Sequence, residues 1–230
     1  MSVWSSLASI VSAIGSSSVQ LVDRLVQLVL AKPEGTNTVG FTVAMIALSA
    51  KMAKADGIVT NDEILAFGEL FQVPEGEERN VARLFNLAKE DVAGFEVYAK
   101  KLADLFPYDR ITLIDILDGL FHIAKADGVL HENELAYLER VAEIFGLDAR
   151  EFDRILSRHA RRSSDPYKVL GVDPSLDDDA LKRHFRQAVR QTHPDQLIAR
   201  GVPQEFVRIA NDRLAALNAA WDQIRAERSL

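Results

Sequence analysis

The sequence contains no cysteine, so the protein has no disulfide framework, no thiolate nucleophile and no cysteine-ligated zinc. It also lacks a glycine-rich phosphate loop and a nucleophile elbow. The five histidines are too scattered along the chain to form an evident set of three metal ligands. These absences predict that the protein is not an enzyme and carries no cofactor.

A surplus of positive charge is also missing. The 230 residues carry 27 Lys and Arg against 34 Asp and Glu, and the segment from residue 163 onward is balanced, with ten of each sign. Binding to nucleic acid requires clustered positive charge that neutralises phosphates. The sequence therefore predicts no nucleic-acid partner.

Convincing runs of alternating apolar and polar residues are absent as well, whereas apolar residues recur at the i, i+3, i+4, i+7 spacing of helices throughout the chain. This periodicity predicts an all-α fold. Turn-forming or small polar residues collect in "AKPEGTNTVG" at 31–40 and in "SRHARRSSDP" at 157–166. The two stretches divide the chain into an N-terminal segment (1–31), a middle domain (40–157) and a C-terminal domain (164–230).

The N-terminal segment lacks both the basic start of a secretory signal and a convincing membrane-spanning run, since serine is frequent in it. Four apolar side chains share one helical face opposite the serines: Trp4, Leu7, Val11 and Ile14. This pattern predicts an amphipathic helix that packs on the body of the protein. Contact with a membrane surface and self-association stay open as alternatives. The predicted location is cytoplasmic, with association with the inner membrane through residues 1–31 also left open.

The middle domain contains an internal repeat. "AKADGIVTNDEI" at 53–64 and "AKADGVLHENEL" at 124–135 each follow one apolar helical pattern and precede another. The shared Asp-Gly suits a helix stop, because glycine reaches the left-handed conformation of a C-terminal cap. Thr60 and Glu63 form a capping-box pattern at the start of the next helix. His131 replaces the threonine in the second copy, so that helix must be capped differently.

The repeats match only the second half of a calcium-binding EF-hand loop. The glycine, the apolar residue and the glutamate fall at the required spacing in both copies. The first two ligand positions hold Met52 and Lys54 in one copy, and Ile123 and Lys125 in the other. A loop with so few oxygen ligands beside a lysine coordinates calcium poorly, so we interpret both copies as helix punctuation.

The paired "KADG…E" segments resemble the TerB-like domain of tellurite-resistance proteins, a helical module that would cover about half of this chain. In that family the acidic residues have been regarded as a metal site. The resemblance would place such a site at four positions: Asp56, Glu63, Asp127 and Glu134. Acidic residues are common at helix starts without any metal, and we favour that explanation. The prediction is therefore that no metal is bound, with these four residues as the candidates.

The C-terminal domain is predicted to contain three helices. Asp165 and Pro166 start a short helix, "PYKVLG", which Gly171 closes. The second helix lies in "DPSLDDDALKRHFRQAVRQT", and five of its residues share a packing face: Leu181, Phe185, Ala188, Val189 and Thr192. A basic ridge follows another face and consists of Lys182, Arg183, Arg186 and Arg190.

The second helix should end at His193-Pro194-Asp195, here called the His-Pro-Asp corner, because proline opposes continuation of a helix. After a loop through Gly201 and Pro203, "EFVRIANDRLAALNAAWDQIRAE" predicts a third helix. Five of its side chains can pack against the second helix: Ala210, Leu214, Leu217, Trp221 and Ile224. An antiparallel helix hairpin with a loop at one tip follows.

Residues 165–226 resemble a J-domain, the co-chaperone module that stimulates the ATPase of a DnaK-type chaperone. The resemblance is carried by "DPYKVLGV", by Phe185 eight residues before His193, by "HPD" itself and by "LNAAWDQI". The long loop "HPDQLIARGVPQEFVRIA", together with a TerB-like domain before the J-domain, is similar to the membrane-associated DjlA-like branch. Two departures are Gln196, where lysine is usual, and Phe185, where tyrosine is usual.

The resemblance implies that the corner and the basic ridge bind a DnaK-type chaperone ATPase. The ridge would approach an acidic surface, Asp195 would offer a carboxylate to an arginine, and Pro194 would keep the turn rigid. Two simpler interpretations exist, since the ridge could be a solvated helix face and His193 could satisfy carbonyls at a helix end. The sequence does not identify client proteins. A metal- or stress-responsive TerB-like binding module is the alternative function.

Overall fold

The computed structural model describes Trp4 and residues 37–55, 61–71, 73–90, 94–159, 165–200, 202 and 204–230. Every regular element within these residues is helical, which confirms the predicted all-α fold. The α-helices in this part of the chain are α1 (Asn37–Ala55), α2 (Asn61–Leu70), α3 (Glu78–Glu90), α4 (Phe95–Leu105), α5 (Arg110–Ala124), α6 (Glu132–Ile144), α7 (Ala149–His159), α8 (Pro166–Leu170), α9 (Asp178–Thr192), α10 (Pro194–Ala199) and α11 (Val207–Arg228). A 3₁₀ turn, Gln204–Phe206, precedes α11.

Helix α1 is the centre of the larger hydrophobic core. It is apolar around most of its circumference, as expected of a helix that other helices surround, and it packs against α3, α4, α5 and α6. Trp4, a member of the predicted amphipathic face, is buried in the same core. The other members of the predicted amphipathic face, Leu7, Val11 and Ile14, lie outside the described residues.

A smaller core holds the C-terminal hairpin together. Its buried members are Val169, Leu170, Leu181, Leu217, Ala220 and Ile224, which come from α8, α9 and α11. Phe185 on α9 stacks on Trp221 of α11, with ring centroids 4.6 Å apart and an interplanar angle of 9°. The start and the end of α8 agree with the sequence, because Asp165 accepts a hydrogen bond from the Tyr167 N–H and Gly171 has a φ of 74°.

Helix α11 extends from one core to the other. Its first turns contribute Ile209 and Ala210 to the larger core, together with three residues that precede the helix: Leu197, Val202 and Phe206. The ring of Phe206 lies 5.1 Å from that of Phe41 and 5.2 Å from that of Phe71. Ala210 was predicted to pack within the hairpin and instead packs in the larger core. The larger core therefore includes residues on both sides of position 164.

The described helices include none that combines the length and the apolar character needed to cross a membrane.

Candidate chaperone-binding site

The chain turns sharply between α9 and α10. The backbone of His193 is extended, with φ −60° and ψ 135°, and Pro194 occupies the first turn of α10, where its missing N–H costs nothing. The Asp195 N–H donates to Nδ1 of His193 over 3.3 Å, so the imidazole caps α10. The predicted helix break is confirmed. The segment predicted as a loop after it contains the short helix Pro194–Ala199.

The His-Pro-Asp corner faces solvent. The side chains of His193 and Asp195 are 52% and 84% exposed, and His193 Nδ1 lies 3.5 Å from Asp195 Oδ2. Leu197, on the opposite side of α10, is fully buried. Because Nδ1 of His193 faces the start of α10, the other ring nitrogen, Nε2, is the one that a partner could bind. Among the described residues, His193 makes no side-chain hydrogen bond to the last carbonyls of α9. The alternative role, in which it satisfies those carbonyls, is therefore not seen.

The basic ridge runs along α9 toward the corner. Lys182, Arg186 and Arg190 follow one another at i, i+4 spacing, with Arg183 beside them. All are exposed except Lys182, which is half-buried. In the part of the chain that the structure describes, no carboxylate pairs with any of the four. The ridge therefore presents a row of cations along α9 that leads to the corner.

Two contacts hold α9 in place. Asp177 caps its start by accepting a hydrogen bond from the Ala180 N–H over 2.8 Å, and acidic residues in the first turn suit the positive end of the helix dipole. Nε2 of His184 lies 3.0 Å from the carbonyl oxygen of Leu170, which joins α9 to the end of α8. The helix that carries the ridge is thus anchored by the hairpin itself.

The second acidic repeat is used for backbone capping. Gly128 adopts a left-handed φ of 89°, but α5 already ends at Ala124 with Lys125 as its C-cap, so the glycine shapes the turn after the helix and does not cap the helix as predicted. The buried carboxylate of Glu134 accepts a hydrogen bond from the His131 N–H over 2.9 Å, so this copy keeps the glutamate half of the capping box although histidine replaces the threonine. Asp127 accepts a hydrogen bond from the Val129 N–H over 2.8 Å.

The described residues contain no group of three or more side chains that could hold a metal ion. Of the four metal candidates, Asp56 and the side chain of Glu63 lie outside them. The prediction that these four residues bind no metal therefore stays a prediction.

Sequence reasoning missed a group of buried charges between α5, α7 and α11. Asp115 is fully buried, and its Oδ1 lies 2.5 Å from Nη1 of Arg213. Asp118 lies 2.5 Å from Nη2 of Arg158 and 2.9 Å from Nε2 of His159. The available signal was the pair of aspartates inside the apolar stretch "LIDILDGLFHI", where an isolated carboxylate would be costly.

The pKa values of the two buried aspartates are shifted in opposite directions. Burial raises the pKa of Asp115, and Arg213 offsets this only in part. Burial would also raise the pKa of Asp118, but Arg158 and His159 outweigh it and hold that pKa below its usual value. Asp118 is therefore the more firmly ionised of the two carboxylates.

The repeat-containing helices and the hairpin with its exposed corner define two modules, and comparison with known proteins identifies both. The family description "Tellurite resistance protein TerB" matches residues 42–157, and "DnaJ domain" matches residues 165–223. No solved structure matches the chain significantly.

Several relatives bear the name "Co-chaperone protein DjlA". The protein of Photobacterium profundum is 31% identical over 215 residues, which cover 82% of this chain and 78% of that protein. Those of Coxiella burnetii and Vibrio vulnificus are 28% and 27% identical, over 78% and 82% of this chain and 74% and 78% of their own. The chain therefore belongs to the DjlA family, with a TerB domain followed by a C-terminal J-domain.

Proposed function

We propose that the protein is a co-chaperone that recruits a DnaK-type chaperone and stimulates its ATPase through the His-Pro-Asp corner and the basic ridge. The observation that carries the proposal is the exposure of the corner at the end of a helix whose basic ridge has no carboxylate partner among the described residues. Membership of the DjlA family supports it, because the relatives are named as co-chaperones. The chain itself performs no chemistry in this account.

The ridge and the corner have different tasks. Exposed cations speed the approach to an acidic surface and add affinity, without fixing a detailed geometry. The corner supplies directional contacts, since the Asp195 carboxylate can accept two hydrogen bonds from one guanidinium, and Nε2 of His193 can bind a neighbouring group. These contacts would stabilise the hydrolysing state of the chaperone over its resting state and so shift the equilibrium between the two.

The TerB domain would then provide targeting or regulation. Peripheral membrane contact or self-association through residues 1–31 belongs to the same proposal.

The experiment is a titration of the full chain into a DnaK-type chaperone, with steady-state ATP turnover as the readout. We expect turnover to rise and saturate as the chain is added, because the complex has a defined stoichiometry. A turnover rate that stays at the level of the chaperone alone at every concentration would contradict the proposal.

The ridge should determine affinity. We expect the double variant Arg186→Ala/Arg190→Ala to raise the half-saturating concentration roughly tenfold, equivalent to about 1.4 kcal/mol, while maximal turnover is kept. The salt dependence of binding should weaken in the same variant, because fewer exposed charges are screened. Arg225→Ala, at an exposed arginine of α11, is the matched control. A half-saturating concentration equal to that of the wild type would remove the ridge from the binding surface.

A further inference from the structure

The His-Pro-Asp corner and the basic ridge are held by different hydrophobic cores. The ridge lies on α9, which the hairpin core anchors through Leu181. The segment after the corner packs in the larger core, where Leu197, only two residues beyond Asp195, is fully buried. Phe206 is also fully buried, against aromatic rings of α1 and of the end of α2. The orientation of the corner therefore depends on the TerB domain.

Ion pairs reinforce this attachment. Three of them join arginines that follow the corner to acidic residues of the TerB domain: Arg213 with Asp115 at 2.5 Å, Arg208 with Glu69 at 3.3 Å and Arg200 with Asp109 at 3.6 Å. The first is buried and the other two are more exposed, so the Asp115 pair is the one least screened by solvent. Asp115 lies on the same helix, α5, as Gly119, and Gly119 packs closely against the ring of Phe206.

We propose that the TerB domain is the scaffold of the His-Pro-Asp corner, and that Asp115, Gly119, Phe206 and Arg213 are positioning residues that fix the corner relative to the ridge. This inference rests on the proposed function and extends it, because it gives the TerB domain a part in stimulation itself. Loosening the contact between α5 and α11 should misorient the corner and leave the ridge intact. The maximal stimulation of the chaperone should then fall, while the affinity for the chaperone is kept.

Gly119 allows a test from the TerB side of the contact. A Cβ atom at this position would lie 2.9 Å from Cζ of Phe206 and 3.3 Å from Cδ1 of Ile209. The Phe206 ring is enclosed by Phe41 and Phe71, so it cannot turn aside easily. Gly119→Ala should therefore push α11 away from α5, while alanine strengthens rather than weakens helix α5.

Gly68→Ala is the matched control for Gly119→Ala. Gly68 lies in another helix of the TerB domain, α2, and a Cβ atom added there would meet no described heavy atom within 4 Å beyond its own helix backbone. Both variants exchange a helical glycine for alanine, and only one of them places a methyl group against the J-domain.

The experiment compares the full-length variants in ATP turnover of a DnaK-type chaperone and in hydrogen exchange of the chain alone. For Gly119→Ala we expect maximal stimulation to fall roughly fivefold or more, with the half-saturating concentration changed less than about twofold. Amides of α10 should exchange faster, while those of α9 keep the wild-type rate. Gly68→Ala should match the wild type in turnover and in the exchange of α9 and α10.

A second pair of variants tests the ion pair. Arg213→Ala should reproduce the loss of maximal stimulation, Arg213→Lys should restore a large part of it because the charge opposite Asp115 is kept, and Arg225→Ala should have no effect. Circular dichroism and thermal melting establish that each variant is folded. The pattern of loss and recovery separates positioning from a general loss of stability.

Two results would overturn the inference. One is faster exchange in α10 with full maximal stimulation, because an undocked corner would then suffice. The other is wild-type exchange in α10 for both Gly119→Ala and Arg213→Ala, because the contact would then not hold the corner. If the wild-type chain fails to stimulate the chaperone at all, the proposed function fails, while hydrogen exchange still decides whether the TerB domain holds the corner.

Discussion

Replacement of His193 by glutamine is expected to abolish the rise in ATP turnover that the chain produces in a DnaK-type chaperone. The two nitrogens of the rigid imidazole ring have different roles, and the flexible glutamine side chain cannot hold two groups in the same arrangement. Its Nδ1 caps α10 by accepting the Asp195 N–H, and its Nε2 is the nitrogen proposed to bind the chaperone. The loss should equal the whole coupling between the two proteins, about 5- to 150-fold for a typical allosteric effect. The measurement is steady-state turnover at saturating concentrations of each variant.

The TerB domain offers a closely matched control histidine. The His131 side chain is 49% exposed, against 52% for His193, and each lies 3.5 Å from a nearby aspartate. His131→Gln should therefore change the free energy of unfolding about as much as His193→Gln does, and it should leave ATP turnover at the wild-type level. Equal turnover for His193→Gln and the wild type would show that the corner is not the stimulating element.

Replacement of Asp118 by alanine should lower the free energy of unfolding by about 3–5 kcal/mol. This is the largest stability change that we expect of any variant described here. The reason is the charge that the change leaves behind, because the Arg158 side chain is only 6% exposed and pairs with Asp118 over 2.5 Å. His159 loses its hydrogen-bond partner at the same time. The free energy of unfolding, measured by urea denaturation at neutral pH, checks this expectation.

An exposed ion pair provides the comparison. Arg140 and Glu143 lie 2.6 Å apart with both side chains more than half exposed, and Glu143→Ala should change stability by less than about 1 kcal/mol. A similar small change for Asp118→Ala would mean that water reaches the Arg158 guanidinium and that the pair is not buried in solution.

The contribution of Asp118 should also depend on pH. Its pKa in the folded protein lies below the usual value, because Arg158 and His159 outweigh the effect of burial. The stabilisation is therefore complete above about pH 4, the ordinary pKa of an aspartate, and decreases as the pH falls further. The stability difference between the wild type and Asp118→Asn should narrow in acid. A difference that stays constant down to about pH 3 would contradict this explanation.

Local signals predicted the helical class of the fold and several helix ends in the C-terminal domain. Apolar periodicity indicated the all-α fold, Asp165 and Gly171 bounded a short helix, and Pro194 marked the break after α9. The same periodicity separated the packing face of α9 from its basic ridge. Each signal acts between residues a few positions apart, so it can be read without knowledge of the tertiary structure.

Contacts between distant segments could not be predicted in the same way. The pattern of α11 gave its apolar residues but not the core that each one enters, and Ala210 was assigned to the wrong one. Leu197 and Phe206 lie in or beside a segment predicted as a loop, although buried apolar side chains there require a partner surface. The partner of Asp115 lies 98 positions away, at Arg213, a distance that no local pattern covers.

The central claim is that the exposed corner acts on the hydrolysis step of another protein. Single-turnover hydrolysis by a preformed chaperone–ATP complex, mixed with excess wild-type chain, tests it most directly because nucleotide exchange does not contribute. We predict a rate constant about 5- to 150-fold above that of the complex alone. An unchanged rate constant, with binding of the chain to the complex demonstrated in the same sample, would contradict the claim.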